Sequence, residues 1–276
     1  MVDHARRSVP VRRSAAGATE TTDWVAVEEP LQLRVGFDDG DTKSHDLLVT
    51  MRTPGHDAEL ARGLLYSEGL VDAASDIVDL VTAPADPNVL VLTLRAVLRE
   101  RLPDRQRSFY ASAACGVCGT ASVGSLGLAP DVRDAAASIR VAASRLAALP
   151  EALLERQPAF SSTGGLHAAA LFAVDCAIRA VREDVGRHNA VDKLIGAALA
   201  AGELPLADSG LFVSGRVSFE IIAKAHRAGL ALVCSVGAPT SLAVDAAWEC
   251  GITLVGFLRD GRFNIYSVPT RVDTAS

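Results

Sequence analysis

Apolar residues alternate with polar ones early in the chain and fall at helical spacing later, and the change of period outlines the fold. Trp24 to Phe37 reads as extended, interrupted by Pro30, and His45 to Met51 reads as a second strand. Thr53-Pro54-Gly55 then opens a helix to about Glu68, with Leu60, Leu64 and Leu65 on one face and Gly69 as its stop. Val71 to Val81 and Val89 to Leu98 are strand-like runs, and this small α+β unit closes near Arg107. Ser138 to Leu149 is predicted to be helical within an Ala-rich stretch of weak pattern, and Pro150 starts a short helix.

From Ser161 the pattern sharpens. His167 to Ala173 and Ile178 to Val181 predict two strands joined by a turn at Asp175-Cys176. Asn189, with Asp192 three residues behind it, is placed to cap a helix whose stripe is Val191, Leu194, Ile195, Ala198 and Leu199. Leu211 to Val213 is a strand, Arg216 to Ala228 a helix stopped by Gly229, and Ala231 to Val236 a strand. Thr240 to Cys250 is a helix stopped by Gly251, and Ile252 to Phe257 with Phe263 to Ser267 forms a hairpin around Asp260-Gly261. Strands alternating with helices of this length predict a layered α/β fold. The expected organisation is a leader over residues 1–23, the small unit over 24–107 and an α/β domain over 108–270.

Composition narrows the classes. With 27 Lys+Arg against 33 Asp+Glu the net charge is −6, which argues against general nucleic-acid binding. No apolar run approaches the ~20 residues that cross a bilayer, so no membrane role is expected. Met1 to Ala18 carries Arg6, Arg7, Arg12 and Arg13 without a following apolar stretch. It reads as a disordered basic leader rather than a secretory signal. Five cysteines do not suggest a disulfide scaffold, and a reducing cytoplasm is the expected compartment.

The sharpest chemistry lies in Cys115-Gly116-Val117-Cys118-Gly119. Two thiols at this spacing can form a redox couple, supply half of a metal site or pass sulfur between partners; two buried, inert thiols are the plain alternative. Glycine beside both cysteines suits an accessible loop better than a packed core. A zinc site needs about four ligands, and Cys176, Cys234 and Cys250 lack ligand spacing. Cys234 and Cys250 fall on apolar patterns and read as core, Cys176 as a turn residue.

Further candidates sit where strands end. Arg182 to Asn189 brings charge, Gly186, Arg187 and His188 to the carboxyl end of a strand, where α/β sheets bind ligands. Ser214-Gly215-Arg216 offers close backbone approach and an arginine in the first turn of a helix, a phosphate-shaped arrangement. Gly237-Ala238-Pro239-Thr240-Ser241 repeats it with hydroxyls. Phe257-Leu258-Arg259-Asp260-Gly261-Arg262 brackets a tight turn with two arginines, suited to phosphate contacts or to stacking on a base. Thr163-Gly164-Gly165-Leu166-His167 places an imidazole at a possible site edge. Each segment alone also has the look of an ordinary solvated turn.

Taken together, EEPL (Glu28 to Leu31), MRTPGHDAELARGLLYSEG (Met51 to Gly69), CGVCG, TGGLHAAALF, REDVGRHNAVDKLIG, SGRVSFEIIAKAHRAG, APTSLAVDAAWECGITLVGFLR and RFNIYS closely resemble the FdhD family, from about Trp24 to Val268. That family consists of accessory sulfur carriers for formate dehydrogenase. The resemblance implies a main domain similar to cytidine deaminases. The chain has no H-x-E and no proline before Cys115, so deamination itself is not expected. It also implies a cytoplasmic homodimer that receives sulfur as a persulfide from a cysteine desulfurase. The sulfur then goes to the molybdenum or tungsten bis(molybdopterin guanine dinucleotide) cofactor, bound as substrate, with no structural metal. Carried over by position, Cys115 bears the persulfide with Cys118 as helper, and Phe257, Leu258, Arg259, Asp260, Gly261 and Arg262 form the cofactor-binding stretch. Arg187, His188, Lys193, Gly215 and Arg216 are expected beside it. The alternative is a chaperone that holds this cofactor for the dehydrogenase without covalent sulfur transfer.

Overall fold

The computed structural model describes residues 4–15, 17–41, 43–102 and 139–274. Cys115, Cys118 and the boundary expected near Arg107 lie outside the described residues. The chain opens with an antiparallel hairpin, β1 (Arg6–Ala15) and β2 (Gly17–Ala26), which corrects the expectation of a disordered leader. Val9 and Val11 stand opposite Asp23 and Thr21, and Arg12 opposite Glu20. The Arg6 guanidinium lies 4.9 Å from the centroid of the Trp24 ring. Cross-strand pairs of this kind stabilise a ribbon that lacks an apolar run.

The predicted extended run over Trp24 to Phe37 breaks at Val27-Glu28 and serves two sheets. β3 (Glu29–Phe37), β4 (His45–Arg52), α1 (Asp57–Ser67), β5 (Ile77–Thr82) and β6 (Val89–Leu94) follow, in the sheet order β4-β3-β6-β5. Pro30 is tolerated inside β3 because pairing with β6 begins only at Gln32. The first strand-like run turns extended only from Ile77. Before it the Asp76 carboxylate accepts the N–H groups of Asp72 and Ala73, at 2.8 and 3.0 Å, and bends the chain. The second run ends at Leu94, and Ala96–Arg101 coils as a 3₁₀ turn.

The helix predicted over Ser138 to Leu149 is only partly formed. Val141–Ala142 (β7) pairs in parallel with Val272–Asp273, and the helices are α2 (Ala143–Leu146), α3 (Leu149–Leu154) and α4 (Pro158–Thr163). Pro150 and Pro158 occupy first turns, where a missing N–H costs little.

The larger sheet comprises β8 (His167–Phe172), β9 (Ile178–Asp184), β10 (Gly210–Val213), β11 (Leu232–Ser235), β12 (Thr253–Arg259) and β13 (Arg262–Ser267), ordered β13-β12-β11-β10-β8-β9. Its helices are α5 (Arg187–Ala201), α6 (Phe219–Arg227) and α7 (Ser241–Glu249), and the short β14 (Val272–Asp273) follows. The expected turns are present: Cys176 has φ 64°, and Asp260 and Gly261 have φ 52° and 71°, both central residues left-handed as a two-residue hairpin requires. Two helix starts differ from expectation. Gly186, not Asn189, caps α5, because the Asn189 amide is drawn away to Met51 O and Asp184 Oδ1. α6 begins at Phe219, so Arg216 lies ahead of its first turn.

The mixed α/β layers share an interior. Leu211 and Val213 of β10 point into one apolar cluster, and Phe212 into another on the opposite face. The first cluster also takes in Leu31, Leu33, Leu60, Leu65 and Leu92 of the smaller unit and Leu194 and Ile195 of α5, so the core runs unbroken across both sheets. The second is closed by Leu146, Leu149 and Leu153. At the junction α1 crosses α5 in backbone contact. A Cβ on Gly63 would lie 1.8 Å from Asp192 O, and one on Gly196 1.8 Å from Glu59 O. No helix among the described residues is long and apolar enough to cross a membrane.

Candidate functional site

β10, β11 and β12 run parallel, and β9 shares their direction through the antiparallel β8. Their carboxyl ends therefore open on one edge, together with His167 at the start of β8, paired with Asp184. The loops on this edge touch. Val217 N–H donates to Ala238 O (3.2 Å), Thr240 N–H to Val217 O (2.9 Å) and Phe257 N–H to Gly237 O (3.0 Å). Two of these loops pack closely at glycine. A Cβ at Gly215 would sit 3.2 Å from His167 Nδ1, and one at Gly237 would sit 3.0 Å from Gly215 O.

Charge at this edge is cationic and local. Arg187 is the first residue of α5 and Arg216 is exposed in the β10–α6 loop. Phe257, Arg259, Arg262, Phe263 and Asn264 line a cavity of about 320 Å³, with the Arg259 guanidinium 5.8 Å from the Phe257 ring. Neither α5 nor α6 receives a side-chain hydrogen bond at its N-cap, whereas Thr240 Oγ1 accepts Ala243 N–H at the start of α7. Arg187 Nε and Ser218 Oγ are buried without a hydrogen-bond partner. Unclaimed donors at helix starts, beside guanidinium groups, are the chemistry that holds phosphate.

The imidazoles here are neutral. Burial pushes His188 down to about 3, and the nearby Lys224, Arg187 and His167 push the same way. Its Nδ1 lies 3.1 Å from Glu220 Oε2, but without hydrogen-bond alignment. The contact is thus between a neutral ring and a carboxyl group that burial itself pushes upward. Burial and Arg187 lower His167 as well.

The FdhD/NarQ family profile matches residues 26–273. The protein named sulfur carrier protein FdhD from Mycolicibacterium paratuberculosis is 45% identical, covering 94% of this chain and 95% of its own length. Its namesake from Nocardia farcinica is 44% identical over 99% of this chain and 96% of its own. This chain belongs to the FdhD/NarQ family. The fold agrees with a crystal structure from Desulfotalea psychrophila, provisionally described as a formate dehydrogenase accessory protein. That structure has a TM-score of 0.70 and 23% identity, and the match covers 97% of this chain and 98% of that one.

Within this family member the edge gathers Arg187, His188, Gly215, Arg216, Phe257 and Arg259 to Arg262. Two residues expected there do other work. Leu258 is fully buried in the second apolar cluster. Lys193 is buried, its Nζ 2.7 Å from Asp184 Oδ2 and donating to Thr53 O (2.9 Å), so its charge is already matched inside the protein. Asp260 and Gly261 form the turn itself. The structure adds Phe263 and Asn264 to the cavity, which only their position after the turn could have signalled. It also adds Thr53 and Asp184, whose roles depend on partners more than 100 residues apart and leave no local pattern. Cys234 and Cys250 are core as expected, and burial pushes the Cys176 thiol up to about 11, which keeps it unreactive.

Proposed function

We propose that this chain is a sulfur carrier for formate dehydrogenase, acting as a sulfurtransferase through Cys115 and Cys118. The names of its relatives support the carrier role. In this reading the Cys115 thiolate attacks the outer sulfur of a persulfide on a cysteine desulfurase. A new S–S bond forms on Cys115, the donor's S–S bond breaks, and the donor cysteine leaves as a thiolate. Without an acceptor, Cys118 attacks the inner sulfur, forms a Cys115–Cys118 disulfide and releases hydrosulfide. The acceptor is the molybdenum or tungsten bis(molybdopterin guanine dinucleotide), bound as substrate by a cytoplasmic homodimer whose larger layer is the cytidine-deaminase-like part of the fold.

The observation that carries the cofactor half is the meeting of the Gly215 and Gly237 loops with Arg187, Arg216, Arg259 and Arg262 on one sheet edge. Phosphates fit the helix starts and guanidinium groups, and a guanine has Phe257 and Arg259 as flat partners. Calorimetry with GDP tests it. Arg259→Ala is expected to weaken GDP by about tenfold, the loss of one charge-assisted contact, with an unchanged melting temperature. Equal affinity in the variant, or no GDP binding by the unmodified chain, contradicts the reading.

A further inference from the structure

The segment Arg52-Thr53-Pro54, from the last residue of β4 toward α1, belongs to the smaller unit and is not one of the cationic loops, yet its hydrogen bonds run to one of them. Thr53 is 2% exposed and Asp184, the last residue of β9, is fully buried. Only Val185 and Gly186 separate Asp184 from α5, and both of their N–H groups are held. Val185 N–H donates to Thr53 Oγ1 (3.1 Å) and Gly186 N–H to Asp184 Oδ1 (2.8 Å). Thr53 N–H donates to Asp184 Oδ2 (3.2 Å), and Lys193 Nζ, paired with that same oxygen, donates to Thr53 O. Asn189 Nδ2 closes the ring by donating to Asp184 Oδ1 (3.0 Å) and Met51 O (2.8 Å). Arg52 anchors the strap, its guanidinium donating to both Asp57 oxygens (3.0 and 2.9 Å) and to Asn88 Oδ1 (2.7 Å).

A buried ion pair is weak evidence for stability, since an apolar pair of equal volume does as well. What these bonds add is direction. They fix the two-residue link that aims the start of α5, and so Arg187 and His188, at the sheet edge. We infer that Thr53 and Asp184 are positioning residues for Arg187 and His188 at the start of α5, through which the smaller unit sets the nucleotide affinity of the larger one. This rests on the nucleotide-binding reading above.

The test uses the full chain with Thr53→Val, which keeps the shape and removes the acceptor for Val185 N–H, and Thr53→Ser, which restores it. Hydrogen exchange at Val185 is expected to speed up by about tenfold in Thr53→Val, a local opening. GDP binding is expected to weaken by roughly tenfold, because fewer molecules hold the competent loop. Thr53→Ser is expected to recover both. Unchanged exchange at Val185, or faster exchange beside unchanged GDP affinity, overturns the inference. If the unmodified chain does not bind GDP at all, the nucleotide reading itself fails and this role with it. Should Thr53→Val not fold, Asn189→Ala, which loosens Asp184 and Met51 together, gives the same two readouts.

Discussion

At the scale of single residues, the neutral His188 is the most exacting feature. Below its ordinary 6.5 the unfolded chain takes up a proton at this imidazole, while the folded chain refuses it down to about 3. The unfolded state then binds more protons, so stability is full above that window and falls as the pH is lowered through it. Between pH 7 and pH 5 His188 is expected to cost the fold about 1–2 kcal/mol. Glu220, pushed upward by burial, works in the opposite sense. In urea titrations at the two pH values, His188→Gln is expected to lose less stability than the unmodified chain; an equal loss in both contradicts the neutral imidazole. Residue identity makes the cationic edge legible in the sequence, because Arg216 and Arg262 sit beside glycine and Arg259 and Arg262 bracket the Asp260-Gly261 turn. It is silent at Lys193, since a lysine on a helix reads the same whether it faces a ligand or a buried aspartate such as Asp184.

At the scale of elements, the crossing of α1 over α5 ties the two units together. Gly63 and Gly196 let the helices meet backbone to backbone, and two buried ion pairs, Lys193–Asp184 and Lys224–Asp192, flank the contact. Lys224 stays charged although burial opposes it, because Asp192 lies 2.8 Å away. Gly63→Ala places a methyl carbon where Asp192 O already stands and forces the helices apart. The expected loss is about 3 kcal/mol, read as a lower denaturation midpoint, and an unchanged midpoint contradicts the close crossing. The elements themselves were largely legible. α1, α7, the β8–β9 hairpin and the β12–β13 hairpin stand close to where periodicity, proline and glycine put them. The misplaced boundaries share a cause, namely that a partner distant in sequence wins over local propensity. Asn189 fails as a cap because Asp184 and Met51 claim it, and Val141–Ala142 leaves the helical pattern because Val272–Asp273 offers it a strand. The β1–β2 ribbon leaves no local pattern because its stabilising pairs, Arg12 with Glu20 and Arg6 with Trp24, lie across the turn and not along the chain.

At the scale of the whole molecule, an acidic chain of net charge −6 presents a local cationic edge, so attraction for an anionic ligand is a property of one surface and not of the protein's overall field. The edge is built from loops of the larger sheet and aimed in part by the smaller unit, and the continuous core makes the two act as one body. In the proposed function this edge holds a large phosphorylated cofactor, and Cys115 and Cys118 carry the sulfur delivered to it. The most direct test of the carrier role is mass spectrometry of the peptide containing Cys115 and Cys118 after incubation with a cysteine desulfurase and cysteine. One added sulfur on Cys115, lost in Cys115→Ala, is the predicted result. No added sulfur on either thiol would contradict the account and favour the alternative of a chaperone that holds the cofactor without carrying sulfur to it.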